Sequence, residues 1–137
     1  MSVFLLMMML AQPSPPLTTL AKSDACGIER ADEAVVRTVA EWASLWKAHA
    51  PERPMPDVDF SKSMVLAVFL GSRPTSGYSV EIRRIVRGAE TIVEYVERQP
   101  DPQTMTAQIL TAPCHIVAVA KQEGAVKFER VEAPPRE

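Results

Sequence analysis

The chain contains two cysteines and two histidines, the residue types most often used for nucleophilic catalysis and for binding soft metal ions. Cys114 and His115 are adjacent, but neighbouring side chains of a strand point to opposite faces, so these two are not expected to form a nucleophile and base pair. His49 lies near the predicted end of a helix, where an imidazolium ring can cap free carbonyl groups. The spacings GxGxxG, HExxH and CxxC and the P-loop are absent, so we expect no catalytic site, no metal and no cofactor.

Cys26 and Cys114 leave two alternatives open. An even number of cysteines permits one disulfide in an oxidising compartment. Two buried free thiols fit the same sequence, because nothing in the spacing shows that the two residues meet.

Residues 71–78 form a loop between the two clearest predicted strands. Pro74 fixes one φ angle, Gly77 can adopt a positive φ, and the hydroxyl of Thr75 or Ser76 can bond to nearby backbone. The loop can therefore hold one shape, and a pre-shaped loop loses less entropy when it docks on a partner.

The same loop carries side chains that are common at protein interfaces. Arg73 supplies a forked donor and Tyr78 an amphipathic ring, and both types are enriched among interface hot spots. The alternative is a long hairpin turn in which Tyr78 covers the core. The predicted partner-binding residues are Arg73, Pro74, Thr75, Ser76, Gly77 and Tyr78.

A single helix is predicted before these strands. Thr38 and Glu41 have the spacing of a capping box, which predicts a helix that begins at Val39. An apolar stripe with helical spacing follows, and two prolines stop the helix; the stripe consists of Trp42, Leu45, Trp46 and His49, and the prolines are Pro51 and Pro54. We expect the two tryptophans to clamp the helix onto a sheet.

The remaining pattern predicts strands. Residues 64–70 are a continuous apolar run, as expected of a central strand covered on both faces. Residues 78–83 alternate between apolar and polar, as in a strand with one wet face. Other strands are predicted at residues 33–37, 91–98, 105–110 and 114–120, with a hairpin turn at 121–124 leading into 125–131.

These elements predict an α+β fold, an antiparallel sheet or small β-sandwich of five to six strands with one helix packed on a face. The expected structural core includes Trp42, Trp46, Phe60 and Phe69. Phe60 is expected to anchor the Pro-rich connector after the helix.

The ends of the chain differ in composition from its centre. Residues 3–11 are an apolar run followed by a Pro-rich segment, which predicts a signal peptide or N-terminal anchor at residues 1–16 and an extracytoplasmic location. Alternatively, the start codon is mis-assigned. Residues 17–27 are expected to be a linker or short strand, residues 28–132 a single domain, and residues 133–137 a tail.

Composition also limits the partners. The formal net charge is −2 with both signs mixed along the chain, so no basic surface for nucleic acid is expected. Membrane contact is expected only through an uncleaved N-terminal segment. A binding module for another protein remains the favoured class.

An ordered series of motifs over residues 38–128 resembles the C-terminal domain family of the protease complex subunit PrcB. The series comprises Glu41-Trp42, Leu45-Trp46, Pro56-x-Val58-Asp59-Phe60-Ser61, the apolar run 64–71, Arg73-Pro74-Thr75-x-Gly77-Tyr78-x-Val80-x-Ile82 and Pro113-x-His115-Ile116-Val117. It departs from the family at Cys114, where an aromatic residue is expected. The resemblance implies an extracytoplasmic accessory protein, often a lipoprotein, that binds another protein, with a secreted or envelope protease as the candidate partner.

A second, local likeness suggests an alternative function. The segment Arg73-Pro74-Thr75-Ser76-Gly77-Tyr78 looks like the Asn-Pro-Thr-Thr-Gly-Tyr inhibitory loop of chagasin-type cysteine protease inhibitors. The predicted function is therefore a non-catalytic accessory domain of a protease complex, and the alternative is a protease inhibitor that acts through this loop.

Overall fold

The computed structural model describes residues 16–134, which contain seven strands and one helix. In chain order these are β1 (Thr18–Ser23), β2 (Asp32–Val36), α1 (Val39–His49), β3 (Ser63–Phe69), β4 (Ser79–Val86), β5 (Thr91–Arg98), β6 (Cys114–Ala120) and β7 (Val126–Arg130). The predicted signal peptide or anchor lies outside this range except for Pro16, as does most of the predicted tail. Within residues 16–134, no helix is long and apolar enough to cross a membrane.

The strands form two sheets that pack face to face. The first sheet has the order β1-β6-β3-β2 and is antiparallel throughout. The second has the order β4-β5-β7, in which β4 and β5 are antiparallel and β5 and β7 are parallel. The predicted α+β class is confirmed, but the sandwich has seven strands instead of five to six, and the sheets are not wholly antiparallel.

Two local predictions are wrong. Residues 105–110 are not a strand, because their backbone bonds to the loop after β3 instead of joining a ladder. Residues 121–124 do not form a hairpin, because β6 pairs with β3 in the first sheet while β7 crosses to the second and pairs with β5. Residues 17–27, predicted as a linker or short strand, contain β1.

β3 is the central element, as its unbroken apolar run predicts. Its side chains alternate between two cores, because successive residues of a strand point to opposite faces. Val65, Ala67 and Phe69 face the helix, whereas Met64, Leu66 and Val68 face the second sheet. The molecule thus has three layers, with the first sheet in the middle.

The capping box forms at the start of α1. The Glu41 N–H donates to Thr38 Oγ1 at 3.1 Å, and the Glu41 carboxylate accepts from the Arg37 N–H at 3.0 Å. The hydrogen bonds that the Glu41 carboxylate accepts, first from the Arg37 N–H and then from the Thr38 hydroxyl, lower the pKa of Glu41. The helix therefore begins at Val39, as its sequence predicts.

The helix is held by its two tryptophans. Trp42 and Trp46 are buried, and their ring centroids lie 5.5 Å apart. The indole N–H of Trp42 donates to the Pro56 carbonyl and that of Trp46 to the Arg53 carbonyl, both at 2.9 Å. The rings therefore fix both the helix and the Pro-rich connector that follows it.

The two predicted core phenylalanines occupy different depths. Phe69 is buried between the helix and the first sheet. Phe60 is half-buried at the margin of the same core, where it holds the end of the connector.

Cys26 and Cys114 form a disulfide, which decides between the two alternatives left open by the sequence. It links the segment between β1 and β2 to the start of β6, across 88 residues of sequence.

Candidate functional site

The loop with the predicted binding residues leaves the sandwich at a tightly packed corner. Gly71 has a φ of +79°, and a Cβ atom there would lie 2.7 Å from the Ala31 backbone nitrogen. The next residue, Ser72, donates its N–H to the Glu29 carbonyl at 3.0 Å. The loop that connects β3 to β4 comprises residues 70–78, and we call it the 70–78 loop. The segment between β1 and β2 thus sets the direction in which this loop runs.

The far end of this loop packs against a second loop, residues 99–113, which connects β5 to β6. Gly77 has a φ of +96°, and a Cβ atom there would lie 2.7 Å from the Cβ of Pro100. A side chain at this position would be strained by the backbone and by the contact. Glycine is therefore needed for the 70–78 loop to lie on the 99–113 loop.

Of the hydrogen bonds that join the two loops, five involve Arg73, Thr75 or Ser76. Arg73 and Thr111 exchange a pair of backbone hydrogen bonds at 2.7 and 2.9 Å. Ser76 donates its N–H to the Ala107 carbonyl at 3.0 Å, and its hydroxyl oxygen accepts from the Ala107 N–H at 2.8 Å. The Thr111 hydroxyl donates to the Thr75 carbonyl at 2.9 Å. The loops therefore form one rigid unit, which we call the paired-loop surface.

Arg73 is committed to contacts within the molecule. Its Nη2 lies 3.2 Å from Oε2 of Glu97, with the two side chains 28 % and 15 % exposed. Its guanidinium group also lies over the Tyr78 ring, 5.8 Å from the centroid. Arg130, which is 65 % exposed, approaches the same carboxylate at 3.4 Å. The Arg73 side chain thus fixes the base of the paired-loop surface to β5.

The other predicted binding residues divide into two groups. Thr75 and Ser76 are half-buried, and their hydroxyl groups bond to backbone within the loop pair. Tyr78 is half-buried under the Arg73 guanidinium. Pro74 and Gly77 are exposed. The structure brings all six predicted residues together, but most of their polar groups shape the loop from within.

The most exposed apolar side chains of this region lie on the partner loop. Met105 is 97 % exposed, Ile109 58 % and Leu110 80 %. Ile109 and Leu110 sit between the two points where the 99–113 loop bonds to the 70–78 loop, at Ala107 and Thr111. The sequence analysis did not single out these residues, because it predicted a strand at 105–110. The signal that could have found them is that prolines at 100, 102 and 113 flank the segment, as is typical of a loop.

The buried histidines lie away from this surface, on opposite faces of the first sheet. On the sandwich side, Nδ1 of His115 accepts from the Ile82 N–H at 2.8 Å and Nε2 lies 2.9 Å from the Thr19 hydroxyl. On the helix side, Nδ1 of His49 lies 3.9 Å from Sγ of Cys114. Cys114 and His115 therefore face opposite ways, as the strand geometry predicts.

The prediction that His49 caps the end of the helix is wrong. The side chain is buried, and desolvation lowers its pKa, with a further contribution from the charge of Arg53 that outweighs the opposite effect of Glu52. Neither ring nitrogen bonds to a helix carbonyl, because Nδ1 faces Sγ of Cys114 and Nε2 has no hydrogen-bond partner among residues 16–134.

Comparison with known families supports the resemblance that the motifs suggest. Residues 64–120 match the family model described as PrcB C-terminal. The match runs from β3 to β6 and so includes both loops of the paired-loop surface. No curated protein and no solved structure matches the chain at a significant level.

Proposed function

We propose that this chain, whose residues 64–120 match the PrcB C-terminal family model, is a non-catalytic module that binds another protein through its paired-loop surface. The observation that carries the proposal is the exposure of Met105, Ile109 and Leu110 on a loop that is held in one shape. The family match supports a role in a protease-associated assembly.

The exposed apolar side chains fit an interface better than an ordinary loop. Long irregular loops inside compact domains are uncommon and often functional. Three large exposed apolar side chains lie within six residues of one loop, and exposed apolar groups on one surface mark contact sites, because covering them removes apolar area from water. Met105, Ile109 and Leu110 can therefore act as the anchors that enter apolar pockets of the partner.

The hydrogen bonds between the loops reduce the cost of binding. A loop that is already ordered loses little conformational entropy when a partner covers it. Arg73, Thr75 and Ser76 supply this order instead of contacting the partner directly. The predicted binding residues thus stabilise the paired-loop surface, and the apolar residues of the 99–113 loop make the contacts with the partner.

The proposed location is extracytoplasmic and the proposed partner is a secreted or envelope protease. The Cys26–Cys114 disulfide supports an oxidising compartment. The apolar run at residues 3–11 supports export.

An inhibitor that inserts the Arg73–Tyr78 loop into a protease cleft is the weaker alternative. Insertion needs loop side chains that are free to enter the cleft, but Arg73 is paired with Glu97 and the Ser76 hydroxyl with Ala107. The accessory role requires only that the outer face of the 99–113 loop is accessible.

Affinity capture from the native envelope fraction tests the proposal. The tagged wild-type chain is compared with a triple variant, Met105→Ser, Ile109→Ser and Leu110→Ser, and with Val39→Ser, a matched control because Val39 is a 61 % exposed apolar residue on α1. We expect a protease to co-purify with the wild type and the control and to be lost from the triple variant. Equal capture by a folded triple variant would exclude the paired-loop surface as the binding site.

A further inference from the structure

Three buried side chains of metal-ligating type meet on the helix side of the first sheet. Cys26, His49 and Cys114 are 6 %, 4 % and 1 % exposed, and one candidate ligand atom from each lies within 4.8 Å of the other two. Two cysteines and a histidine form a donor set that zinc and copper proteins use.

Backbone contacts bring these residues together independently of the disulfide. Cys26 donates its N–H to the Ala112 carbonyl at 3.0 Å, and Gly27 donates to the His49 carbonyl at 2.9 Å. Gly27 permits this approach, because a Cβ atom there would lie 2.6 Å from the Ala48 carbonyl oxygen. We therefore expect the three side chains to remain neighbours when the disulfide is reduced.

His49 has a ring nitrogen that the fold does not use. Its Nδ1 faces Sγ of Cys114 at 3.9 Å, and its Nε2 is buried with no hydrogen-bond partner among residues 16–134. Trp46 meets the ring in an edge contact, with centroids 4.9 Å apart, and so sets its orientation. Nδ1 is therefore the ring nitrogen that can reach a cation held by the cysteine sulfurs, and Nε2 would then carry the proton of the neutral ring.

We propose that reduction of the Cys26–Cys114 disulfide converts this cluster into a binding site for one thiophilic d¹⁰ cation, Zn²⁺ or Cu⁺, held by the two thiolates and the His49 imidazole. A dithiol reductant supplies two electrons and two protons, so that the S–S bond breaks, two thiols form and the reductant becomes a disulfide. Each thiol then releases its proton as its sulfur binds the cation.

The geometry and charge of the cluster fit such a cation. Around a zinc ion the sulfur and nitrogen ligands lie roughly 3.5–3.8 Å apart, given bond lengths of about 2.3 and 2.0 Å. The Cys114 Sγ to His49 Nδ1 distance of 3.9 Å is already close to this range, and the Cys26 sulfur lies within 4.8 Å of the His49 ligand atom. The two sulfurs, which are bonded in the disulfide, must move apart. Two thiolates and Zn²⁺ sum to zero charge, which suits an apolar site beside Trp42 and Trp46.

The oxidised and reduced chains are predicted to differ in metal binding. In the oxidised chain both sulfurs are held in the disulfide, so neither is a thiolate ligand. The site would therefore bind a cation only under reducing conditions. Under those conditions the segment at Cys26 is no longer covalently linked to β6.

The test uses the purified full chain without oxygen, either oxidised or reduced with a phosphine. Zn²⁺ and Cu⁺ are offered in separate titrations, each against a chromogenic chelator. We expect one equivalent of at least one cation to bind the reduced wild type and none to bind the oxidised form. His49→Ala should weaken binding by at least about tenfold, whereas the surface control Lys47→Ala should not change it.

X-ray absorption on the loaded wild type supplies a readout that does not depend on variant folding, with two sulfurs and one nitrogen expected around the metal. Circular dichroism reports whether the reduced chain is folded. The proposal is overturned if the folded reduced chain binds neither cation, or if His49→Ala binds as the wild type does. A coordination shell without nitrogen would also overturn it, as would a reduced chain that unfolds and is not refolded by either cation.

Discussion

Nδ1 of His115 accepts a hydrogen bond from the backbone N–H of Ile82 at 2.8 Å, which joins β6 of the first sheet to β4 of the second. A backbone N–H can only donate, so Nδ1 carries no proton. The Nε2 proton is therefore free to donate to the Thr19 hydroxyl, 2.9 Å away. This neutral tautomer satisfies both ring nitrogens inside the sandwich.

The first prediction is a loss of stability in mild acid. Burial, aided by the charge of Lys22 and opposed by that of Glu81, lowers the pKa of His115 from 6.5 to about 4. Between these values the unfolded chain binds the proton and the folded chain does not. The stabilisation is therefore complete above pH 6.5 and is lost as the pH falls towards 4, by about 3 kcal/mol in total.

Urea unfolding between pH 7.5 and 5 measures about 2 kcal/mol of this loss, and the carboxylates titrate mainly below that range. His49, whose pKa is also lowered, contributes in the same direction. His115→Gln should flatten the His115 part of the dependence while lowering stability at every pH. A free energy of unfolding that stays constant from pH 7.5 to 5 would contradict the neutral assignment.

The second prediction concerns the tryptophan pair. Trp46→Ala should lower the free energy of unfolding by about 3–5 kcal/mol, because it leaves a cavity in the core and an unpaired Arg53 carbonyl. Val39→Ala, on the exposed side of the helix, should cost less than about 0.5 kcal/mol. Thermal unfolding of the two variants under one condition makes the comparison, and similar melting temperatures would show that Trp46 does not hold the helix.

The third prediction separates two reasons for glycine at position 77. Gly77→Ala must adopt a strained φ of +96° and also displace Pro100. Gly124→Ala is the matched control, because its φ is +90° but a Cβ atom there meets nothing within 4 Å. The control should lower the free energy of unfolding by about 1–2 kcal/mol, and Gly77→Ala should lower it clearly more. Equal losses in urea unfolding would show that the contact between the loops adjusts to a Cβ atom without cost.

The fourth prediction ranks two arginines that share Glu97. Arg73 is the better shielded partner and is also held by the Tyr78 ring, whereas Arg130 is mostly exposed. A double-mutant cycle with Glu97→Gln should give a coupling energy of about 1 kcal/mol for Arg73 and near zero for Arg130. The reverse order would show that the Arg73 side chain does not hold the paired-loop surface to β5.

The sequence predicted those features that arise from local patterns. The capping box at Thr38 and the two tryptophans predicted α1, and the apolar run of β3 predicted a strand covered on both faces. The parallel pairing of β5 with β7 could not be predicted, because strand order depends on contacts between distant residues.

Only part of the candidate site could be predicted, because its two loops are far apart in the sequence. The shape of the 70–78 loop follows from Pro74 and Gly77, which act locally. Its pairing with the 99–113 loop depends on Ala107 and Thr111, which lie 31 and 36 residues beyond their partners Ser76 and Thr75. Similarly, His49 and Cys114 are 65 residues apart, so no motif spacing predicts that they are neighbours.

Site-specific photo-crosslinking shows whether the partner docks on the paired-loop surface. A photoreactive amino acid replaces Leu110 on the paired-loop surface, and in a matched variant it replaces Val39 on the helix; both chains are irradiated in the native envelope fraction. We expect a discrete cross-link from position 110 to a protease subunit and none from position 39. A protease cross-link from position 39 with none from position 110 would contradict it, since the binding face would then lie on the helix side of the molecule.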